Sequence, residues 1–455
     1  MQIKNNYQRQ FAIANLRAEN FKSWHETGEI KFAPLTGFFG SNSSGKTAIL
    51  QLLLMLKQTV ETIDRQRILD TRGPYIDLGT FSDIISNGQT PGKISFSLDW
   101  KLAKTLEILD PEGEPEQILF SIPELNFAAT IEGTANSISV EQFSYNFSAG
   151  GSNYQFGMQV KGGEYQLISS GYELKRNRGR GWALPPPLKS YRFPDKVNTY
   201  YQNASFLSDF VLAFEDLWQN VYYLGPLRDY PQRQYLWTGE KPQDVGKRGE
   251  FAVAALLASQ KLDKNSLIEE WVAEKLRDLK LIDDFTVKPI GENSQYYEVR
   301  VRRSPTAPSV LITDVGFGVS QILPVLVLCY YVPKGSTIIL EHPAIHLHPS
   351  VQAGLADVLI DGIKSRNLQV ILESHSEYLL RRLQRRVAEE QLNNEEAALY
   401  FCDTDNSGKS QLTPLELDTF GNIRNWPKDF FGDELGEIAA KTTAEMKRKM
   451  EAAAE

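Results

Sequence analysis

Cysteine is nearly absent: Cys329 and Cys402 are the only two in 455 residues, too few for a disulfide framework or a cysteine-rich zinc site. That scarcity suits a reducing compartment, and a cytoplasmic location is the expectation. Long apolar runs are missing too. The most apolar stretch of the second half, Ile322 to Val332, contains Pro324 and falls well short of the ~20 residues a membrane-spanning helix needs. The opening residues Met1-Gln2-Ile3-Lys4-Asn5-Asn6 are polar, so no secretory leader is read there and no membrane partner is expected. Basic charge is in deficit, with 49 Lys and Arg against 57 Asp and Glu for a formal net charge of −8. This excludes a chain wrapped all over in nucleic acid and leaves room for local basic patches. Internal repeats and long low-complexity segments are also lacking. What remains, 42% hydrophobic and 23% charged, is the make-up of a globular protein with a large core and about two to three domains.

One stretch carries chemistry. Gly40-Ser41-Asn42-Ser43-Ser44-Gly45-Lys46-Thr47 has the spacing Gly-x4-Gly-Lys-Thr. An apolar segment from Phe32 to Phe39 leads into it. The run from Ala48 to Lys57, with no Gly or Pro, leads out as a strong helix former. A strand that turns sharply into a helix aims backbone N–H groups and the positive helix end at one point, which suits the β-phosphate of a nucleotide. Lys46 then reaches the β- and γ-phosphates, and the Thr47 hydroxyl becomes a ligand of Mg²⁺. ATP and Mg²⁺ are therefore the expected cofactors.

The rest of the chain divides by texture. Residues 10–90 read as the N-terminal half of an ATPase head, with strands at Phe11 to Leu16 and Glu29 to Phe32. Residues 91–200 form a β-rich insertion of short alternating runs such as Ile94-Ser95-Phe96-Ser97-Leu98, with an exposed loop where basic residues precede Pro185-Pro186-Pro187. Residues 201–305 make a helical and mixed lobe, with helices near Phe206 to Trp218 and Phe251 to Leu279. Residues 306–432 are the C-terminal half of the head. Residues 433–455, charged and rich in Ala, are a C-terminal helix candidate.

Three constellations in the second half complete the site. Ser336 to Glu341 is an apolar strand ending in a carboxylate, which a buried parallel strand delivers beside the phosphate loop, where it can hold the Mg²⁺ shell. Val370-Ile371-Leu372-Glu373-Ser374-His375-Ser376 is another apolar strand, followed by a histidine at the ligand edge of an α/β sheet. Asp314-Val315-Gly316-Phe317-Gly318-Val319-Ser320-Gln321 opens a long apolar helix whose N-terminus and glycines can hold an anion.

Together these phrases resemble the ABC-type AAA ATPase heads of the OLD, RecF and SMC-like group, and specifically the ATPases of bacterial antiphage defence loci such as PARIS, AbiL and Septu. Asn20-Phe21-Lys22-Ser23-Trp24, Leu224-Gly225-Pro226-Leu227-Arg228, Val245 to Glu250, Glu341-His342-Pro343-Ala344-Ile345-His346-Leu347-His348-Pro349, Gly421-Asn422-Ile423 and Phe430-Phe431 carry the likeness over most of the chain. The resemblance implies an α/β fold: an ABC-type P-loop head with a β-rich insertion and a helical lobe. It also implies a homodimer at minimum, or a larger homo-oligomer, in which ATP is sandwiched between two chains. Gly40 to Thr47 together with Lys22 and Ser23 face Gly316, Gly318, Ser320 and Gln321 across such a site. Glu341, His342 and His375 are the catalytic candidates, and Thr47 and Glu341 the metal ligands. The glutamate that usually follows the Walker B acid is here His342, so slow hydrolysis with ATP as a long-lived clamp is expected.

Two further signals resolve into ordinary structure. Asp403-Thr404-Asp405-Asn406-Ser407-Gly408 would need an acid at its twelfth position to hold calcium, and that position is Pro414. Too little chain follows Asp403 for the rest of a TOPRIM nuclease, so a β-hairpin turn is read there. His346 and His348 belong to the family phrase, which points to a structural or dimer-contact role over zinc ligation. Two basic groups, Lys175, Arg176, Arg178 and Arg180 beside Trp182, and Arg381, Arg382, Arg385 and Arg386, are read first as solvated faces and second as surfaces for nucleic acid or an acidic protein. The functional expectation is a sensor or regulatory ATPase of an antiphage system, responding to a phage protein and controlling a separately encoded TOPRIM or HNH nuclease. The alternative is a DNA-repair or recombination ATPase that grips DNA directly. The heptad coiled coil expected of such repair proteins is missing between the two halves of the site.

Overall fold

The computed structural model describes residues 12–446, apart from 115, 135–136, 178, 180–182, 263–266, 293, 428–429 and 431–439. Arg178, Arg180, Trp182, Phe431 and most of the proposed C-terminal helix therefore lie outside the described residues, although 440–446 are helical.

The chain begins with strands β1 (Ile13–Phe21), β2 (Trp24–Glu26), β3 (Ile30–Lys31) and β4 (Leu35–Gly40), then helix α1 (Lys46–Glu61) and a single turn α2 (Phe81–Ile84). Five strands follow without interruption: β5 (Gly92–Leu109), β6 (Ile118–Gly133), β7 (Ile138–Ala149), β8 (Ser152–Lys161) and β9 (Glu164–Ser170). A short α3 (Val197–Tyr200) and α4 (Leu207–Gln219) lead to β10 (Val221–Leu224). Next come β11 (Tyr235–Leu236), α5 (Ala252–Leu262), α6 (Ile268–Asp278), β12 (Asp284–Pro289), β13 (Tyr296–Arg302) and β14 (Val310–Leu311). The last part holds α7 (Phe317–Tyr331), β15 (Thr337–Glu341), α8 (Pro349–Arg366), β16 (Gln369–Glu373), α9 (Glu377–Ala388), β17 (Ala397–Thr404) and β18 (Ser410–Pro414).

Two large sheets organise these elements. One runs β10-β15-β16-β4-β17-β18, with every pairing parallel except the terminal β17–β18 hairpin. Its central strands are apolar through their middles, and every residue of β4, β15 and β16 is buried, as strands covered on both faces require. The other sheet runs β2-β1-β5-β6-β7-β8-β9, with β3 also on β1, and is antiparallel throughout. Here burial alternates along β5, Ile94, Phe96, Leu98 and Trp100 pointing inward. The strands after residue 91 continue a sheet begun by the N-terminal strands, since β1 pairs directly with β5. A small sheet of β11-β13-β12, with β14 on β13, packs with α5, α6 and α7.

Helix α1 crosses between the layers with twelve buried positions, from Lys46 and Ala48 through Thr59. Its C-terminal carbonyls meet a cation: the buried Lys189 ammonium donates to Val60 O at 2.8 Å and Thr62 O at 2.9 Å. Side chains of the parallel sheet clasp the backbone of the antiparallel one: the Tyr400 hydroxyl accepts from Lys31 N at 2.9 Å and donates to Lys31 O at 2.8 Å, and Gln369 does the same at Ile13. The Gln369 amide donates to Ile13 O at 2.7 Å and accepts from Ile13 N at 3.2 Å and from Thr337 Oγ1 at 3.0 Å. No helix among the described residues is long and apolar enough to cross a membrane.

Candidate functional site

The Gly40–Thr47 loop leaves the carboxyl end of β4 and enters α1 through three residues of positive φ, Gly40 at 133°, Ser43 at 61° and Gly45 at 91°. Packing demands glycine at two of them. A Cβ on Gly40 would lie 1.9 Å from the Cys402 carbonyl oxygen of β17, and one on Gly45 would lie 2.3 Å from Ser410 Oγ and 2.8 Å from Trp24 Nε1. That indole donates to Gly45 O at 3.0 Å, and Ser410 Oγ donates to Ser23 Oγ at 2.6 Å. Ser23 thus belongs to the wall of the loop. The Lys22 ammonium reaches Gln51 of α1 at 2.6 Å. Ser41, Asn42 and Ser43 are exposed on the rim, whereas Ser44 and Lys46 are buried. The Lys46 ammonium is folded onto its own loop, 3.1 Å from Gly40 O and 2.5 Å from Ser41 O. Burial lowers its pKa, against the pull of Glu373.

Because β15, β16 and β4 are parallel, their carboxyl ends open on the same edge. The register pairs Glu341 with Glu373 and Glu373 with Phe38, two residues before the loop begins. The Thr47 hydroxyl, which the sequence pairs with Glu341, donates instead to Glu373 Oε1 at 3.1 Å. His342 Nε2 lies 3.1 Å from the same oxygen. Glu373 Oε2 is buried and has no hydrogen-bond partner. Glu341 accepts from the Tyr223 hydroxyl at 3.0 Å. Burial, then the neighbouring Glu373, push the Glu341 carboxyl up to about 7; burial raises Glu373 as well, with Thr47 and Lys46 opposing.

The rings of His342 and His375 stack at 5.1 Å and 15°. Burial first, then His375, Lys46 and Arg228, lower His342 to about 4. Burial and Lys46 lower His375, against a hydrogen bond to the Gly40 backbone. Both shifts favour the neutral rings, so the His342 to Glu373 approach is a close contact and not an ion pair. His342 holds a left-handed φ of 45°, a conformation that histidine enters more readily than most non-glycine residues.

Three residues here had no role in the sequence reading: Glu373, Tyr223 and Arg228. Arg228 follows β10, whose Leu224 pairs with Leu340, and it is 6% exposed with all three guanidinium nitrogens unpartnered. Burial lowers its pKa to about 10, with Tyr223 and Glu341 opposing. The available signal was a polar residue closing each of several apolar strands, which becomes informative once strand order is known.

The signature-like residues sit apart. Gly316 caps α7, and a Cβ there would meet nothing within 4 Å. Gly318 faces Leu281 and Leu347. Ser320 Oγ turns back to Phe317 O at 2.8 Å, and the Gln321 amide nitrogen is buried without a partner. Asp314 pairs with Arg233 at 2.8 Å, and Phe317 packs on Tyr230. Among the described residues, no hydrogen bond, ion pair or ring contact joins this stretch to the phosphate loop.

Lys175 and the four arginines of α9 are ion-paired. On α9, Arg381 pairs with Glu377, Arg382 with Asp357, Arg385 with Glu389, and Arg386 with both Asp357 and Glu389. Lys175 pairs with Glu112. His348 Nδ1 caps α8 by accepting from Ser350 N at 3.3 Å. No group of three His, Cys, Asp or Glu side chains among the described residues is placed to hold a metal ion. Asp403 to Gly408 is the turn of the β17–β18 hairpin, closed by Asp405 accepting from Ser407 N and Lys409 N.

The family model "AAA domain, putative AbiEii toxin, Type IV TA system" matches residues 127–381, more than half of the chain. The chain belongs to this AAA family. Within the AAA span fall Gly316 to Gln321, Glu341, His342, Glu373 and His375, whereas the phosphate loop precedes it. A second model, "Protein of unknown function (DUF3696)", matches residues 392–440. None of the curated proteins matches the AAA chain. Among solved structures it is similar to an SMC head bound to the C-winged helix domain of ScpA, at 13% identity and TM-score 0.44 over 90% of this chain and 98% of that one. It is also similar to an SMC head domain from Thermotoga maritima, at 12% identity and TM-score 0.41 over 89% and 100%. A third similar structure is an Smc head with an extended coiled coil bound to the C-terminal domain of ScpA from Pyrococcus furiosus, at 11% identity and TM-score 0.44 over 96% and 99%.

Proposed function

We propose that this AAA protein binds ATP with Mg²⁺ at the Gly40–Thr47 loop, hydrolyses it slowly, and serves as the sensor or regulatory ATPase of an antiphage system that controls a separately encoded effector. The observation that carries the ATP reading is the pairing of Lys46 and Thr47. Each is held by oxygens of the site itself, the ammonium by loop carbonyls and the hydroxyl by a carboxylate. These are the contacts that phosphate oxygens and a hydrated cation replace.

The residues fit Mg²⁺ as it is usually held, by one or two carboxylates with substrate phosphates. Two buried carboxylates in register, one with an orphaned oxygen, lie beside a threonine hydroxyl. Thr47 and Glu341 would hold the ion, with Glu373 beside them. When bound it neutralises charge developing on the phosphates. Lys46 orients the β- and γ-phosphates, His375 lies at the γ-phosphate end, and Lys22 and Ser23 fix the loop from the side. Gly316, Gly318, Ser320 and Gln321 open a helix whose N-terminus can take the exposed face of the nucleotide from a second chain, which makes a homodimer the minimal active unit. A TOPRIM or HNH nuclease as effector and a phage protein as trigger complete the reading. The two-component character in the family's own description, a type IV toxin–antitoxin system, agrees with it.

Calorimetry with Mg²⁺-ATP tests the first half: binding by the parent chain and none by a folded Lys46→Ala variant is expected, and equal affinity in both refutes it. Copurification with the products of neighbouring genes tests the second. Recovery of the chain alone, with and without ATP, would remove the effector reading.

A further inference from the structure

We propose that Glu373 is the general base of ATP hydrolysis in this protein, with His342 as the residue that positions it. The inference rests on the ATPase reading above and deepens it. Position 342, directly after the strand-ending Glu341, carries an imidazole where a water-activating carboxylate is expected. Its Nε2 is 3.1 Å from Glu373 Oε1. The carboxylate missing at 342 is present one strand over. Glu373 ends β16, which lies between β15 and the phosphate-loop strand β4, directly opposite Glu341 in register.

Its two oxygens are differentiated. Oε1 accepts from Thr47 Oγ1 and lies 3.1 Å from His342 Nε2, which orients the carboxylate, whereas Oε2 is buried and has no partner. A buried acceptor left open in this way stands ready for a donor, and the water that attacks the γ-phosphorus is a donor that the reaction itself supplies. In the step, the water oxygen forms a bond to the γ-phosphorus as the bond to the β–γ bridging oxygen breaks. The water proton passes to Glu373 Oε2, and the bridging electrons leave with ADP. The products are ADP and inorganic phosphate, and the proton is returned from Glu373 to solvent.

Three variants of the whole 455-residue chain test this: Glu373→Gln, Glu373→Asp and His342→Ala. Each is measured for Mg²⁺-ATP affinity by calorimetry and for single-turnover hydrolysis. Glu373→Gln should keep Kd within about threefold of the parent and lose roughly 10² to 10⁴ in rate. Glu373→Asp, which keeps the charge and serves if the amide does not fold, should bind ATP as the parent does and hydrolyse slowly but faster than the amide. His342→Ala should lose about tenfold in rate alone and nothing further in the Glu373→Gln background, because it acts through Glu373. Normal ATP binding with near-parental hydrolysis in Glu373→Gln overturns this proposal alone. A loss of Mg²⁺-ATP affinity as large as the loss of rate also overturns it and makes Glu373 a metal ligand. A parent chain that does not bind ATP overturns the ATPase reading itself, and this proposal with it.

Discussion

The two large sheets solve opposite problems. In the antiparallel sheet the inward positions are filled by rings: Phe127 packs on Phe143, Tyr145 and Phe214, and Phe120 on Phe147, Phe156 and Phe206. Its polar groups pair among themselves, as in the run Asn15, Asp99, Asn126 and Asn146. In the parallel sheet the middles of the strands are apolar, and the ionisable groups gather at the carboxyl edge, where Lys46, Glu341, Glu373 and Arg228 are all buried. Burying that many ionisable groups costs stability unless something pairs them. One sheet is built for cohesion and the other concentrates ionisable groups at its rim, so changes in the two should fail in different ways.

The sharpest break between them comes from Lys46→Ala set against Phe127→Ala. The first should remove ATP binding, by at least about a hundredfold, with the melting temperature nearly unchanged, since it deletes the cation that faces the phosphates. The second should cost about 3 to 5 kcal/mol of stability while the folded fraction binds ATP normally. Calorimetry and thermal melts on both variants decide it, and a Phe127→Ala protein that is stable but blind to ATP would erase the distinction.

A second experiment extends the rim across two chains. Lys46→Ala and Ser320→Arg should each be inactive alone, whereas a mixture that forms heterodimers should regain part of the ATPase activity, because one intact composite site remains. Verified heterodimers with no activity would confine the site to a single chain.

Third in size is the pH dependence of the ATP-free protein. Burial and the neighbouring Glu373 push the Glu341 carboxyl up to about 7, from an ordinary value of 4.5. A carboxyl whose folded pKa is raised is fully compatible with folding below its unfolded pKa, and its stabilising balance is lost as pH rises through the folded value. Glu341→Gln should therefore match the parent near pH 4 and exceed it at pH 8 by about 3 kcal/mol. Melts at the two pH values check this, and a constant difference would refute it. His342 works in the other direction, losing stability as pH falls from about 6.5 toward 4, but it is present in both chains and cancels from the comparison.

Smallest is Lys189→Met. Removing an ammonium that holds the last carbonyls of α1 should cost about 1 kcal/mol and leave ATP affinity within twofold. A larger drop in affinity than in stability would mean that the far end of α1 tunes the loop.

The parts of the molecule legible in sequence are those whose signal is local. Gly40 to Thr47 declares itself because the loop's strain and the helix that follows are written in consecutive residues. The alternation in β5 to β9 and the uniform runs in β15 and β16 show which strands are covered on one face and which on two. Glu373 stayed hidden because its importance lies in the insertion of β16 between β15 and β4, a fact of strand order. Likewise Arg228 is an ordinary loop residue until β10 is seen beside β15. The arginines of α9 read as a free basic face because Asp357, which holds two of them, lies on the preceding helix. The N-terminal strands were assigned to the head and the later ones to an insertion, and nothing short of the β1 to β5 register reveals that they share a ladder.

Gln369 has a mechanical consequence. Its amide meets Ile13 as a neighbouring strand's peptide would, giving and receiving one hydrogen bond, so a side chain acts as a rivet between two plates, and Tyr400 on Lys31 is another. A rivet of this kind resists sliding more than it resists bending. Any motion that follows events at the rim is thereby steered away from shear between the sheets and toward the loops at their edges.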